Sequence, residues 1–296
     1  MRNTISKPTN LILHLLFIII SIISLYPLLL VLGISITDEK VLNDKGYHWF
    51  PSKLGFEAYQ YVIDMGAGVT RAYGVTIFVT VLGTLLSLLV ISMFAYALSR
   101  PDVKYRNFFA FFIFITMIFS GGLVSWYLIC TQFLHLRDTI WALILPGVMS
   151  GFNVIVLRTF FTTSIPMEIL DSAKMDGSGE LRTFAQIVLP LSLPGLATIA
   201  IFTSVSYWND YFTPLMLIRE PGLYNLQYLI FKVMSNIDAL RQSAEFVSDI
   251  RSSGQLPPEQ GARMALAVFT IGPIIFVYPF LQKYFIKGLT IGAIKG

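Results

Sequence analysis

The chain has 296 residues, 55% of them hydrophobic and only 13% charged, with a mean hydropathy of +0.70. A soluble domain has roughly 45–50% apolar and 25% charged residues, so this balance excludes one and predicts an integral membrane protein. The net charge of +4 does not point to nucleic acid, because the basic residues are scattered over short loops, and the lone Cys130 excludes an intrachain disulfide or a cysteine-based metal cluster.

At the N-terminus, Arg2 and Lys7 precede the apolar run Leu11–Ile36. It is too long for the roughly 7–15-residue core of a cleaved signal peptide and reads as a retained first span. Five further runs reach the roughly 20 apolar residues that a membrane helix needs: Gly74–Leu98, Phe108–Ile129, Ile140–Phe161, Ile187–Ile218 and Met264–Phe285. The expected fold class is therefore an all-α polytopic membrane protein with six transmembrane helices. The runs are continuous rather than alternating, which argues against a β-barrel. Pro27, Pro214, Pro273 and Pro279 fall inside them, and kinks rather than breaks are expected there.

Lys and Arg are denser in the N-terminus, the second and fourth loops and the C-terminal tail than in the other loops. By the positive-inside rule both termini are cytoplasmic, and Thr37–Ala72, a turn near His135 and Arg219–Arg263 face outward. No second soluble domain is visible. The expected organisation is an N-terminal span with its external loop (1–73), then a transmembrane core (74–296) holding a cytoplasmic loop (164–186), an external loop (219–263) and a tail (286–296).

The stretch "IPMEILDSAKMDGSGELRTFAQIVLPLSLP", Ile165–Pro194, interrupts the apolar pattern with helix signals of its own. Pro166 suits an opening turn, Glu168 favours the positive helix N-terminus, and Asp176-Gly177 offers a left-handed stop. Ile165, Ile169, Ala173 and Gly177 recur every fourth residue beside Leu170, giving a narrow face of small and apolar groups. The segment lacks the aromatics and Lys/Arg-rich face of a lipid-lying helix, so docking into a partner's groove is expected.

Asp171-Ser172-Ala173-Lys174-Met175-Asp176-Gly177, then nine residues, then Ile187-Val188-Leu189-Pro190 resembles the Glu-Ala-Ala…Gly…Ile-x-Leu-Pro loop of ABC-importer permeases. It departs from that pattern at Asp171 and Ser172. The flanking "WALILPGVMSGFNVIVLRTFFTTSIP" and "YWNDYFTPLMLI", with the terminal "KGLTIGAIKG", are similar to the carbohydrate-uptake branch, including the smaller maltose-importer permease. The likeness runs from about Val75 to Gly296. It implies a type I importer permease, one of two related permease subunits, in a bacterial cytoplasmic membrane. ATP and Mg would be bound by a partner ATPase dimer rather than by this chain, and sugar, oligosaccharide in particular, would be delivered by an extracytoplasmic solute-binding protein. Glu168, Asp171, Ser172, Ala173, Asp176, Gly177, Ile187, Leu189 and Pro190 would then form the ATPase-coupling loop, with Pro190 restarting the fifth span. The resemblance also implies that the tail, with Gly288, Leu289, Thr290, Gly292, Lys295 and Gly296, inserts between the ATPase subunits. By sequence alone the tail reads as a frayed terminus, and it does not fit a P-loop.

Asp210 is the acidic residue placed within a span, and intramembrane charge marks a functional candidate. With Tyr207, Trp208, Asn209 and Tyr211 it combines aromatic faces for sugar C–H surfaces with partners for hydroxyls; an interfacial aromatic belt would have the same composition. In a continuous helix this cluster would sit roughly 30 Å from Pro190. In the last external loop, "LYNLQYLIFKVMSNI" predicts an amphipathic helix, and acids and bases balance there. Two rival functions are an ion-coupled carrier and a membrane-embedded transferase using Asp171 and Asp176 as metal ligands. The second is disfavoured, since five residues on a helix place these side chains about 140° apart.

Overall fold

The computed structural model describes residues 7–64, 66–242 and 260–272. They are helical throughout apart from loops and one isolated bridge between Thr37 and Leu54. They fall into two compact units, one holding residues up to Val69 together with those from Lys232 on, the other Thr70–Phe231.

In the first unit, α1 (Lys7–Ser35) continues through Pro27, and its apolar side chains stay exposed, as on a lipid-facing span. The following loop is folded. Asp38 caps α2 (Glu39–Lys45) by accepting from the Lys40 N–H at 3.0 Å and pairs with Lys53. After α3 (Glu57–Asp64), the Glu39 carboxylate accepts the N–H groups of Gln260 and Gly261, both at 2.9 Å, at the start of a helix over residues 260–272. That helix covers the beginning of the expected sixth span; the remainder, with Pro273 and Pro279, lies outside the described residues, as do residues 243–259 of the last external loop.

The second unit is organised on α4 (Ala67–Ser99), which starts ahead of the expected Gly74. Ala72, Thr76, Gly83, Ser87 and Ala95 line its buried stripe, small groups that let neighbouring helices approach. Around it lie α5 (Arg106–Ile118), α6 (Gly122–Leu128), α7 (Ile140–Ile144) and α8 (Gly151–Ser164), then α9 (Met167–Met175), α10 (Glu180–Thr183), α11 (Leu189–Leu191), α12 (Leu193–Trp208), α13 (Phe212–Leu217) and α14 (Leu226–Gln242).

Three of the expected straight spans are bent. The third turns by 116° between α5 and α6, the fourth by 50° before α8 and the fifth by 82° between Leu191 and Leu193. Each break has a local cause. Gly122 adopts φ +79°, with its N–H bonded to the Ser120 hydroxyl. Ser150 caps α8, and Pro194 sits in the first turn of α12, where its missing N–H is tolerated. The fifth span is thus not a continuous Ile187–Ile218 helix. It restarts at Leu193–Pro194 rather than at Pro190, and α12 rises only about 24 Å before ending at Trp208. Pro214 opens the separate helix α13 instead of kinking one. Two helices are long and apolar enough to cross a membrane alone, or five if each bent pair counts as one span, among the described residues.

Buried side chains form two clusters. One gathers Ile91, Tyr96, Leu157, Phe161, Leu170, Phe184 and Val188 at the α9 end. The other gathers Val79, Cys130, Ile144, Tyr207, Leu217 and Tyr228 at the opposite end.

Candidate functional site

At the α9 end, the polar stretch folds as two short helices joined by a tight turn. Glu168 lies in the first turn of α9, and the Ser172 hydroxyl donates to its carbonyl at 2.7 Å. Gly177 takes φ +74°; its N–H bonds the Lys174 carbonyl at 3.1 Å while the Ser178 N–H bonds that of Ala173 at 2.9 Å. This pair of bonds is a Schellman stop, satisfying carbonyls that would otherwise be orphaned.

The expected small face is divided. Ile165 and Leu170 pack in one cluster with Tyr96, Phe161 and Phe184, and Ala173 is buried, whereas Ile169 and Gly177 stay exposed. The free side instead carries Glu168, Asp171, Ser172 and Met175, with Met175 88% exposed, and Asp176 follows at the C-cap. Asp171 and Ser172 are thus on the surface and Ala173 is not. Ile187, Leu189 and Pro190 lie before the bend, in a helical run from Glu180 to Leu191 that changes to a wider π turn at Phe184–Val188. Val188 is fully buried, Ile187 and Leu189 are half-buried and Pro190 is exposed.

A set of charges that the sequence reading missed holds this loop to the end of α4. Arg100, 5% exposed, donates to Asp102 through Nε at 3.2 Å and Nη2 at 3.1 Å, with Glu180 at 3.7 Å. The Tyr96 hydroxyl donates to Glu180 at 2.7 Å, and Arg158 of α8 donates to the Leu98 carbonyl at 3.1 Å. The Arg100 guanidinium holds the Asp102 carboxyl below its ordinary range. The available signal was Arg100, directly after the C-terminal end of a long apolar helix, where cations are favoured.

At the opposite end, the expected Tyr207–Tyr211 cluster divides. Tyr207 is wedged between Gly83 and Gly147, and its hydroxyl donates to the Ile144 carbonyl at 2.7 Å. Trp208 is also buried. These two serve packing. Asn209, Asp210 and Tyr211 occupy the break between α12 and α13 and line a half-open cavity of about 400 Å³ together with Trp126, Ser206, Phe212 and one side of Tyr207. Asp210 is not a charge stranded mid-span. Its Oδ1 accepts the Phe212 and Thr213 N–H groups at 3.0 and 2.9 Å, capping α13, which accounts for its place in the chain. Asn225 caps α14 by accepting from the Tyr228 N–H at 3.0 Å and donates to the Asp210 carbonyl. The predicted amphipathic helix is α14, and its Phe231 stacks on Tyr211 at 5.3 Å. The tail residues Gly288–Gly296 lie outside the described residues.

Residues 104–291 match the family described as "Binding-protein-dependent transport system inner membrane component". The chain belongs to that family. This permease is 38% identical to Protein LplC of Bacillus subtilis (strain 168) over 93% of its length and 90% of the relative's. It is 36% identical to the polygalacturonan/rhamnogalacturonan transport system permease protein YtcP of the same organism, covering 93% and 94% of the two chains. Among solved structures, a bacterial ABC transporter involved in the import of the acidic polysaccharide alginate matches with a TM-score of 0.78 at 29% identity, over 95% of the permease and 99% of that chain. The resemblance to ABC-importer permeases therefore holds, and with it the type I importer fold. The permease is a transport subunit, not an enzyme, and ATP hydrolysis belongs to separate subunits.

Proposed function

We propose that this permease is one half of the membrane channel of a sugar importer, taking oligosaccharides, with α9 as the coupling helix seated in a groove of a partner ATPase. The carrying observation is the outward face of α9: Glu168, Asp171, Ser172 and Met175 are exposed on a helix anchored from beneath by Leu170 and Ala173. Carboxylates beside the exposed Ile169 and Met175, with Lys174 among them, suit a groove with charged edges and an apolar floor. A short helix wedged firmly into its own core transmits a rigid-body shift, the kind of motion that exchanging outward for inward access requires.

Sugar as cargo is supported by the polygalacturonan/rhamnogalacturonan and alginate transporters among the relatives and by the cavity beside Asn209 and Tyr211, whose Trp126, Tyr211 and Phe212 rings suit sugar C–H faces while Ser206, Asn209 and Asp210 suit hydroxyls. The complete system would add a second related permease, two ATPases binding ATP and Mg, and an extracytoplasmic solute-binding protein. This chain would cross a bacterial cytoplasmic membrane six times with both termini inside, as an N-terminal part (1–73) and a core (74–296), its tail reaching between the ATPases.

The test is uptake of labelled oligosaccharides into vesicles holding the reconstituted transporter. Uptake should require both ATP and the binding protein. Uptake by the permease alone in a sodium or proton gradient would overturn the proposal.

A further inference from the structure

The end of α4 and the second helix of the coupling loop meet at one buried cation. Arg100 is only 5% exposed, so its charge is held chiefly by partners inside the protein. Asp102 supplies the paired hydrogen bonds, but it lies on the same loop and links Arg100 only to its neighbour. Glu180 is the partner from elsewhere: one carboxylate oxygen accepts from Tyr96, a turn earlier on α4, and the other stands 3.7 Å from Arg100 Nη2. The Tyr96 ring lies against Phe184, with centroids 5.3 Å apart, so the polar contact continues into the apolar core. Lys174 of α9 approaches Asp102 at 3.9 Å, but both side chains are about half exposed or more, and such a pair contributes little. The grip on the loop is therefore Tyr96 and Arg100 on Glu180.

This grip has room to change. A cavity of about 360 Å³ borders Arg100, Glu180 and Phe184, and Arg100 Nη1 is buried without a partner.

We propose that Arg100, Tyr96 and Glu180 are positioning residues that latch the coupling loop to α4, so that a displacement of α9 by the ATPases is carried into the α4 helix. The proposal rests on the coupling role of α9 and is separable from it by experiment. The assembled transporter, with ATPases and binding protein, is reconstituted, and sugar transported per ATP hydrolysed is measured. Glu180→Ala should lower that ratio about fivefold or more, the lower end of ordinary coupling energies. Glu180→Gln, which keeps an acceptor for Tyr96, should recover part of it. Tyr96→Phe should also lower the ratio, and the Tyr96→Phe/Glu180→Ala double variant should be no worse than Glu180→Ala alone, since both remove one contact. Glu180 is largely exposed on its side chain, so its variants avoid the folding defect that removing Arg100 invites. An unchanged ratio in Glu180→Ala, or strictly additive losses, would overturn the latch. Gly177→Asp separates the two ideas: if it lowers the ratio and Glu180→Ala does not, the latch alone falls, whereas if neither lowers it, the coupling role of α9 falls too.

Discussion

Tyr207 and Tyr211 stand four residues apart and have opposite surroundings. The Tyr207 ring fills the space left by two missing side chains: a Cβ on Gly83 would lie 2.6 Å from it and one on Gly147 3.0 Å. Its hydroxyl satisfies a buried carbonyl, and the 3.5 Å approach to Ser87 adds little by comparison. Tyr207→Phe removes the buried bond to the Ile144 carbonyl, a loss of about 0.5–1.5 kcal/mol. Thermal unfolding in detergent should show it as a lowered midpoint. Tyr211 is 45% exposed and borders the cavity, so Tyr211→Ala should leave the midpoint nearly unchanged while weakening sugar uptake. A stability loss confined to Tyr211→Ala would reverse the two roles. Neither role was legible from residue type, because an aromatic-rich cluster reads the same whether its rings face a glycine notch or a cavity.

Among the elements, α9 was the most legible, since its stop depends on one residue type at one place. Gly177 has open space around its Cα, so a side chain there meets no atom, but φ +74° is a conformation that L residues rarely adopt. Gly177→Ala should therefore cost about 1–2 kcal/mol locally through the backbone alone. Gly177→Asn should cost less, because asparagine tolerates this region. Transport per ATP should fall in the same order, with membrane insertion retained; equal effects of Ala and Asn would show that the turn's backbone conformation is not what matters. The bends were less legible than the stop. Gly121-Gly122, Ser150-Gly151 and Ser192-Leu193-Pro194 are all visible as punctuation, yet an apolar run of sufficient length satisfies the same hydropathy whether it is straight or turned by 82°. The small face of α9 was half legible for a related reason: periodicity identifies an apolar stripe but not that the chain itself covers Ile165, Leu170 and Ala173 while Ile169 and Gly177 stay exposed.

For the whole molecule, the all-helical membrane class followed from composition and run length, while the contacts that fasten the loops did not, because a charged residue's type does not name the partner it meets. Carboxylates in such contacts make stability depend on pH. Asp38 is held below its ordinary value of 3.8 by Lys53. Asp102 is held below it by Arg100. Asp138 is held below it by the backbone N–H groups of Arg219 and Glu220. Each folded pKa lies under the unfolded one, so the stabilisation is complete above pH 3.8 and is lost as pH falls through the lowered values. Asp102, Asp138 and the Lys53 partner of the buried Asp38 reach solvent, which keeps each contribution small and makes the Asp38 and Asp102 pairs sensitive to salt. The unfolding midpoint in detergent should therefore be insensitive to these groups from neutrality to about pH 4 and should drop below it. Asp138→Asn keeps an oxygen that can accept both N–H groups and removes the titration, so its acid loss should be shallower than that of the parent protein. A midpoint that rises on acidification, or an unchanged slope in Asp138→Asn, would show that these loop contacts do not govern acid stability.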